Sequence, residues 1–428
     1  MFKRRLSPPR GQPCGEVEEL FMMVPLLSRA ILVAGLAAAA LAAGGAPARA
    51  QGQEPVRIGE LNSYSRMAAF AVPYRNAMQL AEDEINARGG VLGGRKLEFV
   101  FRDDGGTTGD ATRVAEELVT REKVAFLVGT FLSNVGLAVA DFANQRKILF
   151  LASEPLSDAI TMAGGNRYTF RVRPSTYMLT RMLVDAVRDR KVSRWAIVAP
   201  NYEYGQSAAA NFKRLIKEAN PKAEIVAEQY PALGKVDAGA TVNALAAAKP
   251  DAIFNVLFGP DLAPFVREGS TRGLFEGRTV ASLLTGEPEY LLPLGDEAPE
   301  GWIVTGYPWE QVDAPAHKAF VEAYRKRFND TPRLGSFLGY VVAVMVRDLV
   351  DKAGSTDTEK LIAALEDMRF ETIAGPVTMR GLDNQSTLGA WVGETTLKGR
   401  QGSMKNWRYV DGASVMFPEA EVKAARKA

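Results

Sequence analysis

The sequence predicts an α/β fold made of two Rossmann-like lobes with parallel sheets. Short apolar runs alternate with amphipathic helical stretches along most of the chain from Val56 onward. Strands that alternate with helices in this way form parallel sheets covered on both faces. Seven or more such units follow one another and need more than one sheet. The 428-residue chain is long enough for two domains of ordinary size.

The first unit runs from Val56 to Asp104 and contains a strand, a loop, a helix and a second strand. The apolar residues of the helix recur at spacings of three and four and form one stripe, namely Ala77, Leu80, Ala81 and Ile85. The charged residues expected in water are Glu82, Asp83 and Arg88. Gly89-Gly90 ends the helix, because glycine tolerates the left-handed conformation of a helix terminus. The second strand follows, with alternating apolar residues at Leu97, Phe99 and Phe101.

The alternation continues beyond this unit. Further strands are predicted at 124–128, 148–151, 195–199, 225–230, 252–258, 280–284 and 302–305. Further helices are predicted at 110–122, 134–146, 175–190, 205–219, 238–248, 261–273 and 315–328. A boundary between lobes is expected near 168–174, where Pro174 favours an extended chain in the residue before it. Beyond Thr378 only short strand-like pieces are predicted, around Trp391, Trp407 and Tyr409.

The first fifty residues are predicted to be a secretory signal outside the fold. Arg29 precedes an apolar run, Ala30 to Ala43, which is too short for a comfortable membrane anchor. Ala48-Arg49-Ala50 has the small-x-small pattern of a cleavage site, so export with cleavage after Ala50 is expected. Residues 1–21 fit no region of a signal, which leaves Met22 or Met23 as alternative start residues.

The charge of the chain argues against nucleic acid and anionic membrane surfaces as partners. The leader contains six basic and three acidic residues, so its removal changes the formal net charge from +2 to −1. No basic run is interleaved with aromatic residues in the remaining sequence. A nearly neutral protein without such a run lacks the electrostatic footprint of a nucleic-acid binder.

The sequence does not predict an enzyme. Its single cysteine, Cys14, lies in the leader, and its single histidine, His317, is expected at a solvated helix start. Thiol catalysis, Ser-His-Asp triads and histidine-rich metal sites therefore lack their parts, and neither a metal nor a cofactor is expected. Asp103 and Asp104 are adjacent on a strand and point to opposite faces, so they do not form a carboxylate pair. The segment Gly105–Gly109 lacks the lysine of a phosphate-binding P-loop.

A family resemblance rests on the first unit. The helix ending in INARGG, the short Gly-Gly loop and the strand ending in Asp-Asp resemble the start of the periplasmic substrate-binding proteins of branched-chain amino-acid ABC transporters. The resemblance implies the type I periplasmic binding protein fold, whose two lobes are joined by a three-segment hinge. In this sequence, the resemblance implies that the chain crosses between the lobes at about 171–174, 301–308 and 373–378. Lobe 1 would contain 51–172 plus 302–374, and lobe 2 would contain 173–301 plus 375–428.

The same resemblance implies a function. It implies a monomeric periplasmic protein that needs no cofactor and binds a small carboxylate or an amino acid between its lobes. The ligand would then be delivered to the membrane permease and ATPase of an ABC importer.

The strand-end loop Gly129–Asn134 is the first candidate ligand site. Ligands bind at the carboxyl ends of parallel strands, and a helix N-terminus there offers free N–H groups to a carboxylate. Ser133 is predicted either to cap its own helix or to bind the ligand, with Asn134 beside it. The family resemblance favours binding, because a serine of this loop holds the ligand carboxylate in the family.

The second candidate loop follows the next strand, at 152–158. Family members use backbone groups and a hydroxyl of this loop on the same carboxylate, which implies the segment Glu154-Pro155-Leu156 and the hydroxyl of Ser157. Glu154 departs from the small residues of the family pattern. A buried, ionised carboxylate would repel an anionic ligand, so Glu154 is expected to point away or to pair with an arginine.

The remaining candidates line the walls. The resemblance maps a ligand-stacking tyrosine onto Tyr204, whose ring suits apolar ligand surface while its hydroxyl keeps a polar partner; covering the strand end is the alternative role. Glu287 is the candidate that would neutralise a ligand ammonium, with a solvated loop carboxylate as the alternative. Phe258 is either a wall residue or a core residue.

The first-lobe loop contributes a further wall. Either Tyr64 or Phe70 is expected to supply its aromatic side chain, and the guanidinium of Arg66 could bind a second acidic group of the ligand.

The predicted function is thus the solute-binding component of an ABC importer for branched-chain or related amino acids. Two alternatives stay open from the sequence. One is a binder of aromatic or other non-amino carboxylates or amides. The other is a ligand-sensing domain of the same fold, similar to bacterial amide sensors, that feeds no permease.

Overall fold

The computed structural model describes residues 54–426. The predicted signal segment, residues 1–50, lies outside the described residues, together with its cleavage site and the alternative start residues. No helix between residues 54 and 426 is both long and apolar enough to cross a membrane.

The described residues contain two sheets flanked by helices. The strands are β1 (Val56–Asn62), β2 (Leu97–Asp103), β3 (Leu127–Gly129), β4 (Phe150–Ala152), β5 (Thr169–Arg171), β6 (Arg194–Val198), β7 (Glu224–Gln229), β8 (Ala252–Asn255), β9 (Thr279–Gly286), β10 (Ile303–Gly306), β11 (Arg369–Thr372), β12 (Gly375–Arg380), β13 (Gln385–Ser386), β14 (Ala390–Lys398) and β15 (Gln401–Val410). The helices are α1 (Ala68–Ala87), α2 (Thr108–Thr120), α3 (Ser133–Arg146), α4 (Thr176–Val187), α5 (Glu203–Ala219), α6 (Ala238–Ala247), α7 (Leu262–Thr271), α8 (Pro288–Leu294), α9 (Pro315–Phe328), α10 (Leu334–Ala353), α11 (Thr358–Leu365) and α12 (Glu419–Ala425).

Both sheets are mostly parallel. The first has the strand order β11-β12-β13-β5-β4-β3-β1-β2, and the second has the order β15-β14-β10-β9-β8-β6-β7. Strands β1 to β5 pair in parallel in the first sheet, and β6 to β10 pair in parallel in the second. Antiparallel strands from the C-terminal part of the chain extend one edge of each sheet. The predicted fold class of two α/β lobes is confirmed, with mixed rather than purely parallel sheets.

The first unit folds as its pattern predicts. The predicted apolar stripe of α1 is buried against the sheet, and β1 and β2 pair in parallel from Val56 and Leu97 onward. Glu82 differs from the prediction, because it is half-buried and its Oε2 accepts a hydrogen bond from the Phe99 N–H at 3.1 Å. Burial raises the pKa of the Glu82 carboxyl to about 7.

The chain passes between the sheets three times. It leaves the first sheet after Arg171, returns after Gly306 and leaves again after Ser386. The first two passages fall within the ranges predicted for crossings, 171–174 and 301–308, although β10 itself belongs to the second sheet and not to the predicted lobe 1. The third falls after the predicted range 373–378, because β12 and β13 belong to the first sheet.

The segment around Gly375 explains the last difference. The sequence Ala374-Gly375-Pro376 suggested an extended crossing, but it forms the turn between the antiparallel strands β11 and β12. Gly375 adopts a φ of +98° there, which glycine reaches without a steric penalty. The first and third passages between the sheets lie side by side. The side-chain amide of Gln385 donates a hydrogen bond to the carbonyl oxygen of Arg173 at 3.1 Å.

The C-terminal part is more regular than predicted. Trp391, Trp407 and Tyr409 lie in two long antiparallel strands, β14 and β15, and not in short pieces. Trp391 packs against Tyr307 and Phe337, with ring centroids 5.1 and 5.2 Å away. These contacts join the hairpin to the second passage and to α10.

Candidate functional site

The candidate site is a cleft between the carboxyl ends of the two sets of parallel strands. Its lining, which we call the cleft, consists of Phe131, Ser133, Glu154, Leu156, Arg173, Tyr202, Tyr204, Phe258 and Leu284. The first four residues follow β3 and β4 of the first sheet, and the last four follow or belong to strands of the second. The remaining volume is about 10 Å³, room for at most about one water molecule. The two lobes are therefore closed on each other at this cleft.

Ser133 lies at the start of α3 in the floor of the cleft. The prediction that it caps this helix is wrong, since Leu132 is the N-cap residue and no side chain caps the helix. Its Oγ instead accepts hydrogen bonds from the N–H groups of Leu156 and Ser157, at 3.2 and 3.1 Å. Ser133 thus ties together the two loops from which the sequence predicts a carboxylate site.

Glu154 lines the cleft and is held by Asn62. Its Oε1 accepts from the Asn62 side-chain amide at 2.8 Å, while its Oε2 has no hydrogen-bond partner among the described residues. The prediction that Glu154 points away or pairs with an arginine is wrong. Burial raises the pKa of the Glu154 carboxyl well above its usual value, which favours the neutral form of the group and reduces its repulsion of an anion.

Aromatic side chains form most of the cleft wall. The rings of Phe131 and Phe258 meet across the cleft with centroids 6.1 Å apart, and Phe70 packs behind Phe131 at 4.7 Å. Tyr204 packs edge-on against Phe258 at 5.5 Å. Its hydroxyl is buried and has no hydrogen-bond partner within residues 54–426. Of the two aromatic candidates in the first-lobe loop, Phe70 is the one that reaches this wall.

Arg173 is the one cleft residue with a permanent charge, and sequence reasoning missed it. Its guanidinium forms an ion pair with Glu287 and lies over the Phe70 ring, 5.4 Å from the centroid. Its side chain is 5% exposed and that of Glu287 is 1% exposed. The sequence did contain an indication that Arg173 lines the cleft. Arg173 lies directly before the proline of the predicted crossing, and a residue at a crossing faces both lobes.

Glu287 is buried beside the cleft and does not line it. The alternative of a solvated loop carboxylate is wrong, because the side chain is enclosed and bound to Arg173. Burial raises the pKa of Glu287 to about 8, and the Arg173 charge opposes that shift. Glu287 therefore influences the cleft by holding the side chain of Arg173 in an ion pair.

The other candidate residues of the Ser133 and Glu154 loops lie at the margins of the cleft and do not line it. Asn134 is half-buried in the first turn of α3, and Pro155 is buried against Gly136 of the same helix. Ser157 is buried, and its hydroxyl donates to Glu203 Oε1 at 2.6 Å. That bond crosses from the first lobe to helix α5 of the second.

Two candidates of the first-lobe loop are outside the cleft. The Tyr64 hydroxyl donates to Glu60 Oε2 at 2.5 Å, and its ring lies under Arg75. Arg66 is exposed and its side chain covers Gly106. Neither residue lines the closed cleft, because the loop turns toward the end of β2 instead.

A second bond between the lobes involves Glu289. The carboxylate of this α8 residue accepts from the N–H groups of Leu334 and Gly335, at 3.2 and 2.8 Å. These N–H groups begin α10, which packs against α1 of the first lobe. A carboxylate is favourable at a helix N-terminus, so this contact stabilises the closed arrangement.

A larger groove of about 830 Å³ lies away from the strand ends. It is open to solvent, and its walls include four charged side chains of α9, namely Lys318, Glu322, Arg325 and Lys326. His317, at its base, is fully buried, which contradicts the predicted solvated position. Its Nε2 lies 2.6 Å from the Tyr307 hydroxyl, and burial lowers the pKa of its imidazole to about 4. No group of three or more potential metal ligands occurs in the described part of the chain.

Comparison with known proteins identifies a family and a shared fold. A family model described as periplasmic binding protein matches residues 55–401. The Leu/Ile/Val-binding protein homolog 7 of Brucella suis is 27% identical over 362 residues, which cover 80% of this chain and 87% of the relative. The leucine-, isoleucine-, valine-, threonine-, and alanine-binding protein of Pseudomonas aeruginosa is 25% identical over 326 residues, which cover 75% and 84%. These relatives are binding proteins by name.

A solved structure shares the fold. It is a solute binding protein of an ABC transporter from Rhodopseudomonas palustris in complex with 3,4-dihydroxybenzoic acid. The TM-score is 0.76 at 23% identity, and the match covers 84% of this chain and 98% of that chain.

Proposed function

The chain belongs to the periplasmic binding protein family, and from this we propose that it is the periplasmic solute-binding component of an ABC importer for a small carboxylate with an apolar body. The observation that carries the proposal is the cleft, whose lining comes from both lobes and joins the Ser133 loop to an aromatic wall. A ligand there would contact both lobes at once. Binding would therefore favour the closed arrangement, because only that arrangement offers all the contacts.

The carboxylate is assigned to the first lobe. The N–H groups of the first turn of α3 have no acceptor within the helix, and the helix dipole favours an anion there. The Ser133 hydroxyl can donate a further hydrogen bond, since its oxygen already accepts from Leu156 and Ser157. The nearby Arg173 guanidinium adds a positive charge that no other cleft residue supplies.

The apolar body is assigned to the wall of Phe131, Tyr204 and Phe258. Aromatic side chains give a flat ligand both buried area and favourable ring contacts. An aromatic carboxylate is thus the first candidate, and the Rhodopseudomonas structure contains such a ligand. A branched-chain amino acid is the second candidate, favoured by the names of the relatives and by a carboxyl group, Glu154, in the cleft that could receive an ammonium.

A thermal-shift screen tests the proposal. The ligands are leucine, isoleucine, valine, phenylalanine, benzoate-type acids and short amides. We expect stabilisation by at least one class of carboxylate, because ligand that binds only the folded state raises its stability by mass action. Stabilisation by amides alone, or by none of these compounds, would contradict the carboxylate site. A transport role further requires that deletion of the gene reduces uptake of the ligand found.

Replacement of Ser133 by alanine tests the carboxylate site directly. Ser133→Ala is expected to weaken a carboxylate ligand by about 1.5–3 kcal/mol, the usual value of a hydrogen bond to a charged group. It also removes the acceptor of two buried N–H groups, so the free energy of unfolding should fall by about 1–3 kcal/mol. Calorimetric titration and urea unfolding measure the two effects separately.

Ser336→Ala is the matched control. Ser336 is a buried serine that accepts one backbone N–H, from Arg333 at 3.1 Å, and does not line the cleft. The Ser336→Ala variant should have a lower free energy of unfolding and an unchanged affinity for the carboxylate ligand. Equal affinity of wild type and Ser133→Ala would leave Ser133 as a residue that only supports the loops.

A further inference from the structure

Two side chains that line the cleft from opposite lobes each carry a buried polar atom with no hydrogen-bond partner among residues 54–426. One is Glu154 Oε2, from the loop after β4, and the other is the Tyr204 hydroxyl, from the first turn of α5. The two side chains are 1% and 2% exposed. More than nine-tenths of buried polar groups in proteins have a hydrogen-bond partner, so two such atoms in one cleft call for an explanation.

The cleft lining does not supply these partners. Asn62 occupies only Oε1 of Glu154, and the Arg173 guanidinium is engaged by Glu287. Around Tyr204 the rings of Phe258 and Tyr202 pack against it at 5.5 and 6.1 Å, and Arg173 and Glu287 are near enough to act on it by charge but form no hydrogen bond with its hydroxyl. A polar atom enclosed by rings costs about 1–3 kcal/mol when it stays unpaired.

We propose that the ligand carries a hydroxyl group in addition to its carboxylate, and that this hydroxyl bridges Glu154 of the first lobe and Tyr204 of the second. The inference rests on the proposed function and names its ligand class as hydroxylated small carboxylates. A ligand hydroxyl satisfies both atoms at once, because it donates one hydrogen bond and accepts another. It also makes Glu154 and Tyr204 specificity residues, since a ligand without the group leaves both unpaired.

A hydroxyl fits this place better than an ammonium group. An ammonium only donates, so it cannot accept the hydrogen of the Tyr204 hydroxyl. It also requires an ionised Glu154, and burial raises the pKa of that carboxyl well above its usual value. The groups that act on Glu154 are Asn62 and Glu60 on β1, Tyr74 on α1, Arg173 at the crossing and Glu289 on α8, and two of them are further carboxyls. A neutral ligand hydroxyl therefore suits a carboxyl whose ionised form is disfavoured by burial.

Two ligand series test the class. One consists of benzoate, 4-hydroxybenzoate and 4-aminobenzoate, and the other of 4-methylpentanoate, 2-hydroxy-4-methylpentanoate and leucine. Each series keeps one skeleton and changes one substituent. Calorimetric titration of the full-length mature protein should show the hydroxylated member of at least one series binding about 10- to 100-fold more tightly than its unsubstituted parent.

Tyr204→Phe locates the effect. The variant deletes only the hydroxyl, which has no hydrogen-bond partner within residues 54–426, so the fold should be unaffected. It should lose most of the preference for the hydroxylated ligand, measured as the ratio of the affinities for the hydroxylated ligand and its parent. Glu154→Leu should lose the preference as well, although it also frees the Asn62 amide. Tyr324→Phe is the control, since it removes a similarly buried and unpartnered hydroxyl that does not line the cleft.

Several results would overturn the inference. Equal affinity for parent and hydroxylated ligands would do so while leaving the proposed function intact, because carboxylates still bind. Tightest binding of the amino-substituted member would replace the hydroxyl by an ammonium. A loss in Tyr204→Phe that is equal for all ligands would assign Tyr204 to packing alone. Failure of every carboxylate to bind would remove the proposed function and this inference together.

Discussion

At a pH above about 8, replacement of Arg173 by methionine is expected to lower the free energy of unfolding by about 3–5 kcal/mol, the usual cost of breaking a buried ion pair by removing one partner. Methionine keeps much of the length and apolar stem of the side chain but leaves the Glu287 carboxyl without its positive partner. It also removes the guanidinium from the face of Phe70. Urea unfolding monitored by circular dichroism measures the change.

The size of this effect should depend on pH. The folded-state pKa of Glu287 is raised to about 8, above its value of 4.5 in the unfolded chain. Between these values the folded state binds more protons than the unfolded state, so stability falls as pH rises. Without Arg173 the folded-state pKa rises further and the window widens upward. Arg173→Met should therefore be least destabilising near pH 5, where Glu287 is protonated in both proteins, and clearly more destabilising near pH 9, above the wild-type pKa.

Two comparisons separate the buried pair from other causes. Arg146→Met breaks an exposed ion pair with Glu116, at 2.6 Å, and should cost no more than about 1 kcal/mol. The double variant Arg173→Met, Glu287→Leu should recover most of the loss, because an apolar pair needs no charged partner. A loss in Arg173→Met that matches Arg146→Met at both pH values would mean that the buried pair contributes little.

Replacement of Gly129 by alanine is expected to lower the free energy of unfolding by at least about 3 kcal/mol. Gly129 ends β3 with a φ of +119°, a conformation that side chains rarely adopt. A Cβ atom would lie 2.2 Å from the Leu61 carbonyl oxygen of the adjacent strand β1. The strain of the dihedral and the overlap with backbone therefore add. Because the Ser133 loop begins here, ligand affinity should fall as well.

Gly94→Ala separates the cost of the backbone dihedral from the cost of the overlap with strand β1. Gly94 has a similar φ of +124°, but a Cβ atom there has nothing within 4 Å. It should show the cost of the dihedral alone, about 1–2 kcal/mol, and unchanged affinity. Urea unfolding of both variants gives the difference that belongs to the strand contact. If Gly129→Ala costs no more than Gly94→Ala, the close approach of β1 and β3 is readily relaxed.

The periodicity of the sequence predicts the fold well where elements are amphipathic. The helix predicted at 315–328 and the strand predicted at 225–230 lie within one residue of α9 and β7. The long helix α10 was not predicted, because it is buried on most sides and its apolar residues do not mark one face. The Gly-Pro turn at residues 375–376 was placed in a crossing, since a turn between strands and an extended hinge use the same residue types.

In the candidate site, too, features with a local sequence pattern could be predicted and features set by long-range packing could not. The loops at Ser133, Glu154, Tyr204 and Phe258 could be named from the sequence, because ligands bind at the carboxyl ends of parallel strands and each loop directly follows one. The partners of these residues could not be named. Asn62 and Glu154 are 92 positions apart, and Arg173 and Glu287 are 114 positions apart. Such pairs arise from strand order and from the closure of the lobes, which no local pattern records.

The sequence by itself determined the α/β class, the alternation of strands and helices through most of the chain, the family resemblance and most of the loops that line the cleft. These properties depend on the polarity and backbone preferences of neighbouring residues, which the linear order contains. The tertiary structure alone decided that Ser133 joins two loops, that Glu154 is held by Asn62, that Arg173 is bound to Glu287 and that His317 is buried. Each of these depends on how far a side chain is removed from water and on which distant group meets it there, and both are consequences of packing.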